Sequence, residues 1–129
     1  MQIDTFLPDG TPEPIGPYSH VARAGGFLHV SGTAGVDPAT GRMAGPDAYA
    51  QAAQVLRNIR VMLQAAGSDL SHVLHVNVFL KNVDDFEAMN QAYRELMGTH
   101  RPARTVVVVA DLPKRDALMT MNCMAVAKE

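Results

Sequence analysis

The stretch Arg101-Pro102-Ala103-Arg104-Thr105-Val106-Val107-Val108-Val109-Ala110 joins a charged turn to a strongly apolar segment. Its valines predict a β-strand over residues 105–110, and the absence of polar alternation predicts burial of that strand on both faces. Arg101 and Arg104 stand beside Pro102 at the start of the strand. Arginine stays charged at any working pH, and its planar fork matches a carboxylate or phosphate. The stretch therefore suggests a site for a small anion, although a solvated turn is the commoner explanation for such a stretch taken alone.

The segments around this strand carry further strand patterns. Residues 18–24 and 27–31 flank Gly25-Gly26, a pair that tolerates the positive φ angles of a type I′ turn and so predicts a β-hairpin. Residues 73–80 alternate between apolar and polar side chains, and residues 118–127 predict the final strand. The proline-rich lead-in at 8–17 predicts an extended segment without regular structure.

Two segments have the spacing of helices. The first begins at Pro46-Asp47 and ends at Gly67, and its predicted core face consists of Val55, Leu56, Ile59, Met62, Leu63 and Ala66. The second ends at Gly98, and either Asp84 or Asp85 is predicted to cap its start. The apolar stripe of this second helix consists of Phe86, Met89, Tyr93, Leu96 and Met97.

The predicted order is β-β-α-β-α-β-β, which indicates one α+β domain spanning residues 1–129. Each helix lies between strands, so both can cover one face of a single mixed sheet in a two-layer sandwich. The other face of the sheet is then bare and is expected to carry Val and Met. Exposed apolar surface of that size usually marks an interface, so we expect a homo-oligomer.

Composition excludes several classes of protein. The 129 residues are 47% hydrophobic and 19% charged with a formal net charge of -2, and no dense Lys/Arg run is present. We therefore expect no nucleic-acid binding, which needs a basic footprint. The single cysteine, Cys123, excludes an intramolecular disulfide framework. No signal-peptide pattern or membrane-length apolar run occurs, so the chain is expected to be cytoplasmic, without membrane association.

The sequence predicts no metal site and no cofactor. The five histidines are His20, His29, His72, His75 and His100, and no carboxylate or cysteine completes a ligand set with them at a recognised spacing. They are expected to lie at the surface or at an interface. Cys123 lies on an apolar face of the last strand, which favours an inert buried thiol over a nucleophile. The glycines form no phosphate-binding loop.

Five motifs occur together in a fixed order. They are Ile15-Gly16-Pro17-Tyr18-Ser19, Val30-Ser31-Gly32-Thr33, Asn90 within the second helix, Pro102-Ala103-Arg104-Thr105 and Leu112-Pro113. In this order they resemble the RidA/YjgF/YER057c/UK114 family, the reactive-intermediate deaminases. The resemblance covers nearly the whole chain, from about residue 14 to about residue 127.

The resemblance implies a chorismate-mutase-like fold and a homotrimer with ligand clefts between adjacent subunits. Archetypal members hydrolyse reactive imines and enamines, such as 2-aminoacrylate, to 2-keto acids and ammonia without a cofactor. The family's carboxylate-binding arginine falls on Arg104. Tyr18, Ser31, Gly32 and Asn90 match positions that line the family's cleft and are the expected substrate-binding residues. For Ser31 and Asn90, a turn or a helix-surface role explains the residue equally well.

The chain departs from the family in its last strand. The position of a glutamate that helps activate water in deaminating members falls on Thr120, the expected catalytic position beside Arg104, and a nearby acidic position falls on Asn122. Neither is a useful base near pH 7, and losing such a group removes about 100- to 10,000-fold in rate.

The resemblance implies an imine/enamine deaminase, which is the function we expect. The alternative is a non-catalytic or regulatory protein that binds small carboxylates, and a third hypothesis is an enzyme of the same fold with another substrate.

Overall fold

The structure is a computed structural model that describes residues 1–129. Six strands form one sheet, a separate short hairpin follows the third strand, and two long helices pack against the sheet. The strands are β1 (Ile3–Phe6), β2 (Val21–Ala24), β3 (Phe27–Ala34), β4 (Val36–Asp37), β5 (Arg42–Met43), β6 (Val73–Leu80), β7 (Ala103–Val108) and β8 (Met119–Val126), and the helices are α1 (Ala48–Ala65) and α2 (Phe86–Met97).

The strand order in the main sheet is β1-β2-β3-β8-β6-β7. Only β6 and β7 pair in parallel, because α2 carries the chain back between them, and the other neighbours are antiparallel. Both helices lie on one face of the sheet, where a cluster of 25 buried residues forms the core. The predicted mixed sheet covered by two helices is therefore confirmed.

Helix α1 follows its sequence prediction closely. The side chain of Asp47 caps its start and accepts a hydrogen bond of 2.8 Å from the backbone N–H of Ala50. All six residues of its predicted core face are buried. Gly67, just beyond the end of the helix, has a φ of 91°, the left-handed conformation expected of a residue that ends a helix.

The chain passes very close to α1 at Gly35, directly after the end of β3, near the end of the sheet at which the cavity described below lies. A Cβ atom on Gly35 would lie 2.5 Å from the backbone oxygen of Gln51, so only glycine fits between the two elements. The buried side chain of Gln51 donates to the carbonyls of Gly45 and Asp116 at 3.0 and 3.1 Å, and it accepts from the N–H of Leu118 at 2.8 Å. Gln51 thus ties the start of β8 to α1.

Three strands were not predicted. Strand β1 pairs with β2 at one edge of the sheet, and it is held by backbone hydrogen bonds while most of its side chains remain exposed. It therefore lacks the apolar alternation that reveals a strand in a sequence. The segment 36–45, for which no strand was predicted, contains the two-residue strands β4 and β5.

The predicted hairpin at Gly25-Gly26 is confirmed, whereas the predicted cap of the second helix is wrong. In the hairpin only Gly25 has a positive φ (59°), which gives the turn the pattern of type II′. The side chain of Asp85 makes no capping hydrogen bond, because its backbone is already helical (φ -85°, ψ -1°). Asn82 instead caps a short 3-10 turn before α2, accepting from the N–H of Asp84 at 2.9 Å.

The predicted burial of the valine strand on both faces was also wrong for this chain. Strand β7 is the edge of the sheet, and Val107 and Val108 are 42% and 53% exposed. The face of the sheet that no helix covers is more polar than expected. At its centre Asn77 donates to Asn122 at 2.9 Å, and His75 lies within hydrogen-bonding distance of Asn77. Neither helix is long and apolar enough to cross a membrane.

Candidate ligand-binding site

A cavity of about 620 Å³ opens beside the end of β3. It lies where β3 and β8 change register: Val30 pairs with Cys123 and Thr33 pairs with Met121, so Ser31 and Gly32 together oppose one residue of β8. This arrangement is a β-bulge, a feature that redirects side chains and often lies next to functional sites. Four predicted site residues line the cavity, namely Tyr18, Ser31, Gly32 and Thr120.

The polar groups of Ser31 and Tyr18 are held by the chain itself. The hydroxyl of Ser31 donates to the carbonyl of Ser19 at 2.6 Å, so its oxygen keeps accepting capacity. The hydroxyl of Tyr18 accepts from the N–H of Ile15 at 3.2 Å, which leaves its own proton free to be donated. The cavity therefore contains one oriented donor and one oriented acceptor.

The proline-rich lead-in, predicted only as an extended segment without regular structure, forms a wall of this cavity. Pro12, Glu13 and Pro14 line it, and the Nε2 atom of His20 lies 2.6 Å from the carbonyl oxygen of Pro12. His20 is 5% exposed, so its prediction as a surface or interface residue was wrong. The sequence contained one indication that the lead-in lies near the site, because the lead-in directly precedes the motif that contains Tyr18.

Arg104 lies outside this cavity, on the face of β7 turned toward α2. Its Cζ atom lies 4.7 Å from the centroid of the Tyr93 ring and 5.9 Å from that of Phe86, and its Nη1 atom lies 3.9 Å from the sulfur of Met89. Both ring contacts are cation–π interactions. The ion pairs of the chain are Lys81–Asp111 and Lys128–Asp69, so no acidic side chain neutralises Arg104.

Tyr93 stays neutral beside this charge. Its hydroxyl is buried without a hydrogen-bond partner. Burial raises the pKa of Tyr93, and the positive charge of Arg104 lowers it by less. Asn90 lies on the same face of α2 as Phe86 and Tyr93, since residues three and four apart are neighbours on a helix.

The second arginine of the opening stretch has a different role. Arg101 is exposed and donates to the carbonyls of Gly98 and His100, where α2 ends. It is therefore occupied by the backbone of its own turn.

One chain does not bring the two groups of predicted residues together. Arg104 pairs with Val76 on the helix-covered face, whereas Thr120 pairs with Phe79, whose side chain lies on the other face. Strand β6 separates β7 from β8, which places the two backbones about 10 Å apart. Arg104 and Asn90 thus form one group, and the residues lining the cavity form the other.

Comparison with known proteins shows the family to which this chain belongs. A sequence model of the protein family described as endoribonuclease L-PSP matches residues 9–127. A RutC family protein of Pyrococcus horikoshii is 42% identical over 122 residues, 95% of this chain and 96% of that protein. The chain belongs to the RidA/YjgF/YER057c/UK114 family.

This RidA-family chain is also similar to two proteins with more specific names. The 2-iminobutanoate/2-iminopropanoate deaminase of Dermatophagoides farinae is 37% identical over 103 residues, 80% of each protein. The crystal structure of E. coli TdcF with bound serine has a TM-score of 0.90 and 29% identity, and the match covers 97% of this chain and 99% of that one. The predicted family and fold class are both confirmed.

Other reactive groups of this RidA-family chain lie apart from the site. Cys123 is buried, and burial raises the pKa of its thiol to about 12, as the prediction of an inert cysteine requires. No group of three or more His, Cys, Asp and Glu side chains is placed to hold a metal ion.

Proposed function

We propose that this RidA-family protein hydrolyses small 2-imino and 2-enamino acids to 2-keto acids and ammonia. The observation that carries this proposal is the free guanidinium of Arg104, held against the Tyr93 ring with no acidic side chain to neutralise it. Such a group can clamp a substrate carboxylate through two parallel hydrogen bonds. Two facts about relatives support the proposal: one is named a 2-iminobutanoate/2-iminopropanoate deaminase, and another binds serine, itself an amino carboxylate.

The proposed site is completed between subunits of a homotrimer. Arg104 and Asn90 lie apart from the cavity that contains Tyr18, Ser31, Gly32 and Thr120. A small substrate that contacts both groups therefore needs a second copy of the chain. The exposed apolar side chains of Phe27 and Leu74 on the open side of the sheet also favour association.

In the proposed reaction Arg104 holds the substrate carboxylate and leaves the C=N carbon facing the cavity of a neighbouring copy. The hydroxyl of Tyr18 can donate to the substrate, and the oxygen of Ser31 can accept from it. The hydroxyl of Thr120 can orient the attacking water. The oxygen of that water bonds to the carbon, the C–N bond breaks, and the nitrogen leaves as ammonia.

The test couples a threonine dehydratase to this protein in the presence of semicarbazide, which traps the released imine. We expect the wild-type protein to lower the yield of the semicarbazone and Arg104→Ala to reduce kcat/KM about 100-fold, since two charge-assisted hydrogen bonds are lost. Arg101→Ala is the matched control, because Arg101 contacts only the backbone of its own turn. A wild-type protein that does not compete with the trap excludes this activity.

A second candidate function is binding of small carboxylates without turnover. The observation that favours it is the composition of β8, whose polar residues are Thr120 and Asn122 and which contains no carboxylate. Calorimetry with 2-ketobutyrate separates the candidates: binding that depends on Arg104, without competition for the imine, supports the binding protein.

A further inference from the structure

One acidic residue, Glu13, belongs to the wall of the cavity beside β3, and it comes from the solvent-exposed lead-in rather than from β8. Glu13 lines this cavity together with Thr120. We propose that Glu13 is the general base that accepts a proton from the attacking water. This proposal rests on the proposed deaminase function and names the group that function still lacks.

The other polar residues around the cavity cannot take this role. Lys114 presents an ammonium group, which only donates. His20 is only 5% exposed, and its Nε2 atom is occupied by the carbonyl of Pro12. Tyr18, Ser31, Thr11 and Thr33 present neutral hydroxyls, which are poor proton acceptors near neutral pH. The hydroxyl of Thr120 is not a base near neutral pH. Glu13 is the one carboxylate in the wall of the cavity.

The backbone around Glu13 is restrained on both sides. Pro12 and Pro14 fix their own φ angles, and a residue that precedes a proline is confined to extended conformations. His20, itself buried, binds the carbonyl of Pro12, and the hydroxyl of Thr11 donates to the carbonyl of Pro8. The backbone at Glu13 is therefore restrained beside the cavity, although it lies in a segment without regular structure.

The carboxylate of Glu13 is also free to react. It takes part in neither of the two ion pairs of the chain. A negative charge in the cavity attracts the positively charged iminium form of the substrate and can accept a proton from water next to it. The substrate carboxylate, which Glu13 would repel, is held elsewhere by Arg104.

The proton transfers balance without another reactant. As the water oxygen bonds to the C=N carbon, one water proton moves to Glu13. Glu13 then returns this proton to the nitrogen, and the second water proton follows as the C=O bond forms and the C–N bond breaks. A 2-imino acid and water thus give a 2-keto acid and ammonia.

The experiment uses the full chain and the coupled dehydratase assay. We expect Glu13→Gln, which keeps the shape of the side chain, to lower kcat about 100-fold with little change in KM or in affinity for 2-ketobutyrate. Asp9→Asn removes a carboxylate from the same lead-in but outside the cavity, and it is expected to keep the wild-type kcat. In Glu13→Gln combined with Thr120→Glu, a carboxylate enters the same cavity from β8, and we expect kcat to recover.

The outcomes separate this proposal from the proposed function. An active wild-type protein whose Glu13→Gln variant keeps its kcat overturns the role of Glu13 and leaves the deaminase function standing. An equal loss in Asp9→Asn, or no recovery in the double variant, also overturns it. A wild-type protein without deaminase activity overturns both proposals together.

Discussion

The guanidinium of Arg104 lies over the ring of Tyr93, with its Cζ atom 4.7 Å from the ring centroid. An aromatic face orients a cation without neutralising it, whereas a carboxylate partner would compete with any bound anion. The hydroxyl of Tyr93 is buried and unpaired, so the ring alone accounts for this contact. The pair therefore fits an arginine that is fixed in place and still available to a ligand.

Two substitutions of Tyr93 separate its ring from its hydroxyl. Tyr93→Phe removes an unpaired buried hydroxyl and is expected to raise the free energy of unfolding by about 1 kcal/mol without loss of ligand affinity. Tyr93→Leu removes the ring beneath Arg104 and is expected to weaken the binding of 2-ketobutyrate. Urea denaturation measures the first effect, and calorimetry measures the second. Equal affinities of Tyr93→Leu and the wild-type protein would show that the ring does not orient Arg104.

Gly35 and Gly32 form a matched pair of glycines at the same end of the sheet. Gly35→Ala places a Cβ atom 2.5 Å from the backbone oxygen of Gln51, which must push β3 away from α1 and is expected to cost about 3 kcal/mol of stability. No atom lies within 4 Å of a Cβ atom at Gly32, so Gly32→Ala is expected to leave stability nearly unchanged. Urea denaturation of both variants checks the difference. Similar unfolding midpoints for the two would contradict it.

The contact between His20 and Pro12 is expected to support the lead-in wall of the cavity. His20→Ala removes this hydrogen bond, and we expect a loss of about 1 kcal/mol in stability together with a lower kcat in the coupled assay. His72→Ala serves as the control, because the side chain of His72 contacts only its neighbour Ser71. A His20→Ala protein with unchanged kcat would show that the wall stays in place without this contact.

The buried thiol of Cys123 predicts a specific dependence of stability on pH. Burial raises its pKa to about 12, whereas a cysteine in an unfolded chain has a pKa of about 8.5. Below the lower value both states keep the proton. Between the two values only the unfolded state releases it, so the thiol lowers the free energy of unfolding by about 1.4 kcal/mol for each pH unit.

This dependence is measured as the difference between the wild-type protein and Cys123→Ala. The variant lacks the thiol, so other titrating groups affect both proteins alike. We expect the stability advantage of the wild-type protein to shrink as the pH rises from about 8 to about 11. A constant difference over this range would mean that the thiol is more accessible to water than its burial indicates.

The sequence predicted the elements that have strong apolar patterns. The stripe of α1 from Val55 to Ala66 and the alternation of β6 both match the structure, because core packing is what produces such patterns. Strand β1 could not be found in this way, since its side chains are mostly exposed and backbone pairing holds it. The exposure of Val107 shows the opposite error, in which an apolar run lies at the edge of the sheet.

The sequence identified candidate site residues, but it could not show which of them lie close together in one chain. The motifs gave Tyr18 and Ser31, and the position of the family's glutamate gave Thr120; all three line one cavity. Position in the sequence could not show that Arg104 lies apart from them, because this depends on the order of the strands in the sheet. Glu13 was not among the predicted residues, because a proline-rich segment has no periodic pattern and only the folded lead-in brings it to the wall of the cavity.

The separation of Arg104 from Thr120 has a genetic consequence. In the proposed trimer each site combines Arg104 of one chain with the cavity of a neighbouring chain. A mixed trimer can therefore contain one intact site even when each of its chains carries a defect. Arg104→Ala subunits mixed with subunits that carry a damaged cavity, such as Ser31→Leu, are expected to regain activity that neither protein has alone. Refolding the two variants together and assaying the mixture would reveal this complementation, and a mixture as inactive as its components would place the whole site within one chain.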